Sequence, residues 1–435
     1  MNIIFQSFFV SILLFFSYLI KKRIKFIKRN IHLGEKKYES NSSKETKIKN
    51  LILIAFGQKK MFKKIIPAIL HTMIYLGFII INLEILEIII DGVSGSHRVF
   101  AIMGMPYYNT FISIIEFFVV LVLIACIIFL IRRNLIGINR FNSIELKGWP
   151  ALDANLILIF EIILMVAILT MNATDLLLQS SNYENYVITG DFYFSGKIKF
   201  LFSQLNPTQL YIVERISWWI HILGIFLFAL YITYSKHLHI FLAFPNIYHS
   251  NDSELSMIQN MPSITNEIKT MMGENTDSSE PPPTRFGAKD VTDLSWKNIL
   301  DAYSCSECGR CTSECPPNIT GKKLSPRKIM MDVRDRADEI GESLDSGKSF
   351  DDKSLLGDYI SKEELFACTT CNACVEACPL NINPLDIIIE CRRYTALEES
   401  SSPQEWNSMF QNIETNFSPW KFPVSDRSNW TKEEE

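Results

Sequence analysis

Cys305-Ser306-Glu307-Cys308-Gly309-Arg310-Cys311-Thr312-Ser313-Glu314-Cys315-Pro316 has a counterpart further along the chain, Cys368-Thr369-Thr370-Cys371-Asn372-Ala373-Cys374-Val375-Glu376-Ala377-Cys378-Pro379. Both stretches read C-x2-C-x2-C-x3-C-P, the spacing that holds a cubane 4Fe–4S cluster. Two-residue gaps let a tight loop present three thiolates to one cube, and the fourth cysteine of each run reaches the other cube. The spacing therefore assigns Cys305, Cys308, Cys311 and Cys378 to one cluster, and Cys368, Cys371, Cys374 and Cys315 to the other. This crossing ties the two halves into one unit and keeps the cubes close. Paired structural zinc sites are the alternative, but they need four cysteines each and no terminal Cys-Pro. A disulfide framework is disfavoured, because such runs belong in a reducing compartment.

Each run feeds a helix signal. Asn318-Ile319 and then Pro326 follow the first Cys-Pro, with Ile329, Met330 and Arg334 beyond; Asn381-Ile382 and then Pro384 follow the second, with Ile387, Ile388 and Arg392. Proline suits the first helical turn, where its missing N–H is not needed. Residues 327–342 also carry a helical pattern. The reading is an internal repeat and an α-helical dicluster ferredoxin unit over 287–398, in place of a β-rich small ferredoxin.

Toward the N-terminus the chain turns apolar. Residues 3–20, 66–90, 111–131, 154–171 and 211–234 are each long enough for a membrane span of about 20 residues. The first lacks a basic front, and its basic cluster (Lys21, Lys22, Arg23, Lys25, Lys28, Arg29) follows it, as in a retained anchor. Lys59, Lys60, Lys63 and Lys64 precede the second span, Arg132, Arg133 and Arg140 follow the third, and Lys236 follows the fifth. Positive-inside bias then puts the N-terminus outside and everything after the fifth span in the cytoplasm. The expected class is all-α, a multi-pass bundle in the cell (inner) membrane followed by the dicluster domain. Its divisions are 1–63, an anchor with a basic cytoplasmic loop; 64–244, a four-helix cytochrome b-like unit; 245–286, a linker; 287–398, the dicluster domain; and 399–435, a partner-docking tail. Within the linker, 275–284 is rich in Ser, Glu and Pro and reads as extended. A net charge of −4 gives no footing for nucleic acid, and no nucleotide loop or nucleophile triad occurs. Cys126 and Cys391 read as packing residues.

Histidine placement suits haem. His221 and His239 are 18 residues apart, a whole number of helical turns, so one straight helix would show both on one face about 27 Å apart. That separation suits one haem near each membrane surface. His71, at the start of the second span, matches the depth of His239, and the two are the expected axial pair of an inner haem b. His221 and His97 are the candidates for a second, outer haem, with Arg98 beside a propionate. Packing or interfacial roles are the plain alternative. Glu84, Glu87, Glu116 and Glu161 lie in or near spans and are candidate proton acceptors for a quinol.

Leu70-His71, Trp219-Ile220-His221-Ile222-Leu223-Gly224 and Leu238-His239-Ile240 resemble the cytochrome b subunit of respiratory nitrate reductase and its relatives in membrane-bound heterodisulfide reductase. That family carries another histidine ten residues after its first, where this chain has Ile81. The cysteine unit resembles the dicluster subunit of heterodisulfide reductase. In several relatives cysteine-rich CCG modules follow that unit, and Pro419-Trp420 and Arg427-Ser428-Asn429-Trp430 resemble the connecting strip. The resemblance implies electron transfer between the quinone pool, one or two b haems and two 4Fe–4S clusters, to or from a cytoplasmic CCG-type iron–sulfur subunit. The alternative is a haem-free membrane-anchored iron–sulfur protein that recruits a redox partner.

Overall fold

Five helices, Ile3–Ile31, Ile65–Ser94, Met105–Asn134, Trp149–Ser180 and Pro207–Ile232, are long and apolar enough to cross a bilayer. They are called here the first to fifth spans. The computed structural model describes all residues except 1, 2, 37, 39, 41, 184, 185, 252–256, 275–284, 349, 350 and 433–435. The extended linker expected at 275–284 thus lies outside the described residues. The chain is 73% helical and has no strand among the described residues. Membrane helices followed by a helical dicluster domain are the architecture.

The spans pack through small residues and a narrow inward stripe. On the second span Gly77, Ile81, Glu84 and Ile88 are buried at helical spacing while Ile79, Leu83 and Leu86 face outward. A side chain at Gly77 would meet Val122 of the third span at 2.3 Å, and one at Gly224 of the fifth would meet Leu164 of the fourth at 2.6 Å. Backbones can approach this closely only where the Cβ is missing. Phe5 and Phe9 of the first span pack on Trp218 and Trp219 of the fifth.

Two departures from the sequence reading matter. The basic cluster after residue 20 does not open a loop; the first span stays helical through Ile31. Its polar end is stabilised by the dicluster domain. Arg23 pairs with Asp338 at 3.1 Å, Arg29 donates to the Gly341 carbonyl at 2.8 Å, and buried Asn30 donates to Tyr303 Oη at 3.0 Å. The fifth span, in turn, does not run on to His239. It ends at Ile232, Ser235 caps a 3-10 turn at Lys236–Leu238, and a new helix occupies His239–Tyr248. Thr233 and Ser235 explain the break, since short hydroxyl side chains bond nearby backbone groups and compete with the helix. His221 and His239 therefore do not share one straight helix.

The dicluster domain repeats a capped helix before each cysteine run. Ser295 and Asn298 form a capping box on Trp296–Ser304, and Ser361 and Glu364 form one on Lys362–Ala367. After the runs, Ser325 caps Pro326–Ser346 and Asn383 caps Pro384–Leu397. This domain is docked against one end of the bundle, the cluster-side end; the opposite end is called distal.

The strut-like first span gives a direct test. A Cβ at Gly341 would meet the Asn30 side chain at 2.3–2.4 Å. Gly341→Leu should push the end of the first span off the dicluster domain. Amide exchange over residues 21–31 should rise while the iron content stays at the wild-type level.

Candidate functional site

The cysteine loops are built alike. In the first, Glu307 and Gly309 adopt left-handed backbone at φ 53° and 70°; in the second, Thr370 and Asn372 do so at 56° and 60°. Glycine and asparagine accept this region readily, whereas glutamate and threonine hold it under strain. The strained residues aim their N–H groups at sulfur, Glu307 at Cys305 Sγ and Thr370 at Cys368 Sγ, both at 3.4 Å. Hydrogen bonds of this kind tune cluster potentials. Gly309 has a second constraint, because a Cβ there would meet the Arg327 guanidinium at 2.4 Å.

The structure gathers the thiols in two groups. Cys305, Cys308 and Cys311 line one cavity together with Cys378 from the other run. Cys315 lies within electrostatic reach of Cys368 and Cys371, and Cys374 within reach of Cys368, Cys315 and Cys371. Cys374 is also near Cys311, so the groups adjoin. Among the described residues no three His, Cys, Asp or Glu side chains converge as they would on a single ion. The first group surrounds a cavity. Burial pushes the Cys305, Cys374 and Cys378 thiols up to about 12.

Directly behind the first group, His71 and His239 face each other with ring centroids 6.5 Å apart. His71 Nδ1 bonds Gln58 Oε1 at 3.1 Å, and His239 Nδ1 bonds the Lys236 carbonyl at 3.0 Å. Carbonyl oxygens can only accept, so Nδ1 is the protonated nitrogen and Nε2 keeps its lone pair. Among the described residues no hydrogen bond reaches either Nε2. Burial pushes His239 below its usual range despite the Lys236 carbonyl, which favours the neutral, ligating form. Imidazole bonds to a metal are about 2 Å, so two rings sharing one iron would have centroids roughly 6 Å apart. The 6.5 Å between the rings is close to that spacing.

His221, deep in the bundle, shows the same habit: Nδ1 bonds the Leu164 carbonyl at 3.1 Å and buried Nε2 has no partner. His97 differs. It packs on Tyr186 with Nε2 3.6 Å from Asp175, and burial pushes it down to about 4. No ring contact joins His97 to His221. Arg98, expected beside a propionate, is consumed within the protein: it donates to Asp175 at 2.8 Å, Asn172 at 2.6 Å and Tyr108 Oη at 3.2 Å.

The distal carboxylates separate by what they hold. Glu87 accepts from Phe100 N and Tyr108 Oη, Asp91 from Arg98 N and Val99 N, and Glu116 from Phe194 N and Ser195 N. These three pin the distal loops. Glu84, 0% exposed, is different: among the described residues no backbone N–H reaches either oxygen, and the Arg98 guanidinium is 3.6 Å away.

Lys236, Glu307 and Arg310, not singled out as site residues in the sequence, join the two halves, and Arg334 supports Glu307. Lys236 Nζ bonds Glu307 Oε2 at 2.8 Å, Arg334 bonds Glu307 Oε1 at 2.7 Å, and Arg310 donates to the Lys60 and Met61 carbonyls at 3.2 and 3.3 Å. The available signal was the charge of Glu307 and Arg310 inside the gaps of a buried loop, which demands partners. Burial opposes the Glu307 charge, yet Lys236 and Arg334 hold its carboxyl below the usual range.

With this geometry in hand, comparison with known proteins is direct. Residues 304–382 match the 4Fe–4S dicluster domain. The chain carries that domain. It is 28% identical to the probable iron–sulfur-binding oxidoreductase FadF of Bacillus subtilis, over 96% of this chain and 59% of that protein. It is 24% identical to the EtfAB:quinone oxidoreductase of Syntrophomonas wolfei, over 92% of this chain and 56% of that one. Over a shorter stretch, 24% of this chain, it is 36% identical to one of the subunits of the ferredoxin/F(420)H(2)-dependent CoB-CoM heterodisulfide reductase of Methanosarcina acetivorans, matching 53% of that relative's length. The chain thus spans well under two thirds of the length of these relatives. No solved structure matches it. It combines that domain with five helices long and apolar enough to cross a bilayer, and it is similar to iron–sulfur oxidoreductases.

Glu116 and Glu84 should behave oppositely. Glu116→Ala strands two backbone N–H groups and should cost about 2–4 kcal/mol, read as a lower melting temperature in detergent and faster proteolysis near residue 194. Glu84→Gln, which strands no backbone N–H, should cost less and leave proteolysis near residue 194 unchanged.

Proposed function

We propose that this chain passes electrons between the membrane quinone pool and a soluble redox partner, through a haem b held by His71 and His239 and two 4Fe–4S clusters held by the crossed cysteine quartets. The observation that carries the reading is the histidine pair: two rings at 6.5 Å with both Nε2 atoms unengaged, immediately behind the first cysteine loop. Haem and clusters supply one-electron carriers; the protein fixes their spacing and surroundings. Gln58 and the Lys236 carbonyl hold the imidazoles in the ligating tautomer. The N–H groups of Glu307 and Thr370 support negative charge on Cys305 and Cys368. Cys371 is exposed and gives the second cluster its contact with a partner.

On this reading the quinone lies toward the distal end, near the cavity lined by Glu87, Asp91, His97, Arg98 and Trp218. Quinol oxidation releases protons with its electrons, and Glu84, fully buried beside Arg98 and bonded to no backbone N–H, is the proposed acceptor. His221 is the candidate ligand of a second haem. The N-terminus lies outside and the dicluster domain in the cytoplasm, as the Lys and Arg bias requires. The partner is a cysteine-rich CCG-type subunit or module. The name of the Syntrophomonas relative, an EtfAB:quinone oxidoreductase, supports the quinone end of the path, and the heterodisulfide reductase relative supports a multi-subunit setting.

Reduced-minus-oxidised absorbance tests the haem. The wild-type protein should show a b-type band, and His71→Ala and His239→Ala should each remove the same component of it with cluster iron retained. A band unchanged in both variants refutes the pairing, and no band in the wild type favours the haem-free anchor. Electron paramagnetic resonance tests the crossing. Cys378→Ser and Cys305→Ser should remove one cluster signal and about half of the iron, and Cys315→Ser and Cys368→Ser the other. Loss of the same signal in Cys378→Ser and Cys368→Ser would overturn it.

A further inference from the structure

Both histidines of the pair are held by backbone segments that the first cysteine loop itself grips. Arg310 donates to the carbonyls of Lys60 and Met61. These residues belong to the turn that follows Gln58, the residue bonded to His71 Nδ1. Gln58 sits in left-handed backbone at φ 50°, so the turn is not held by local preference alone. On the other arm, Glu307 takes the ammonium of Lys236, whose own carbonyl bonds His239 Nδ1. Lys236 is 8% exposed and is further fixed by the Pro150 carbonyl at 2.7 Å and Asp153 at 3.8 Å. Arg334 holds the second oxygen of Glu307 at 2.7 Å. Glu307 and Arg310 flank Cys308, one on each side.

We infer that Glu307 and Arg310 are positioning residues, a two-armed clamp by which the first cysteine loop sets the separation and tilt of the His71–His239 pair. Neither side chain touches a reacting atom. Arg310 acts through the 59–63 turn and Gln58, Glu307 through Lys236. The clamp makes the two redox centres one mechanical unit, so the loop cannot shift without moving a histidine. The inference rests on the haem reading only for its spectroscopic consequence; the clamp itself concerns the protein.

The test uses the full-length protein in detergent or nanodiscs. Lys236→Met removes the ammonium but keeps the carbonyl on His239; Arg310→Gln releases the other arm. With cluster iron at wild-type levels, each variant should change the low-spin haem resonance, shift the haem midpoint potential, and slow haem oxidation through the clusters roughly tenfold. Lys236→Arg should restore the wild-type signature. Wild-type resonance, potential and rate in both Lys236→Met and Arg310→Gln would overturn the inference. Failure of Lys236→Arg to rescue would overturn the Lys236 arm. Should the wild-type protein show no b-type band, the haem reading falls and the clamp is judged by amide exchange: protection over residues 58–72 must drop in Arg310→Gln and over 233–240 in Lys236→Met. Unchanged protection there overturns it.

Discussion

The arrangement depends on buried charge at the junction between lipid-embedded and aqueous halves. Arg327, 1% exposed, donates to the Arg140 carbonyl at 2.9 Å and to Glu145 at 2.7 Å, both in the loop between the third and fourth spans. Lys236 and Glu307 are almost as deeply buried. Greasy surfaces would tolerate sliding. A buried ion pair does not, because a shift strands a desolvated charge at a cost of several kcal/mol. The junction therefore admits one pose, and that pose puts the first cysteine loop against the histidine pair.

The same economy recurs at the distal end. There Glu84, Glu87, Asp91 and Asp175 lie around the buried guanidinium of Arg98, and Glu116 is buried nearby. Most are occupied in fixing loop backbone, which in a lipid setting has no water to turn to. Membrane proteins keep such groups only where they are paired or functional. Separating the structural carboxylates from Glu84 needed the hydrogen bonds, not the sequence.

How far the sequence was readable follows from the range of the signals. Cysteine spacing is local and chemical, so the runs were legible, and so were the five spans, whose apolar content exceeds any ambiguity. The capped helices after Cys315 and Cys378 were legible through Pro326 and Pro384. Helix continuity was not. The first span continues past residue 20 because Tyr303, Asp338 and Gly341, hundreds of residues away, receive its polar end. The fifth stops because Ser235 caps the next turn, a choice that periodicity alone cannot register. The match in depth of His71 and His239 was legible; its anchoring through Gln58 and Lys236 was a tertiary fact. Arg98 was misjudged because its partners, Asp175 and Asn172, lie on another span.

The first span has a consequence for how the protein sits in its host. A helix of 29 residues is about 44 Å long at 1.5 Å per residue, against a hydrocarbon core of about 30 Å. The surplus is pinned to the soluble domain through Asn30 and Arg29, making the helix a ruler of fixed length. The height of the iron–sulfur centres above the lipid is then set by that ruler. A thicker bilayer cannot lift the soluble domain; it can only change the tilt of the whole molecule.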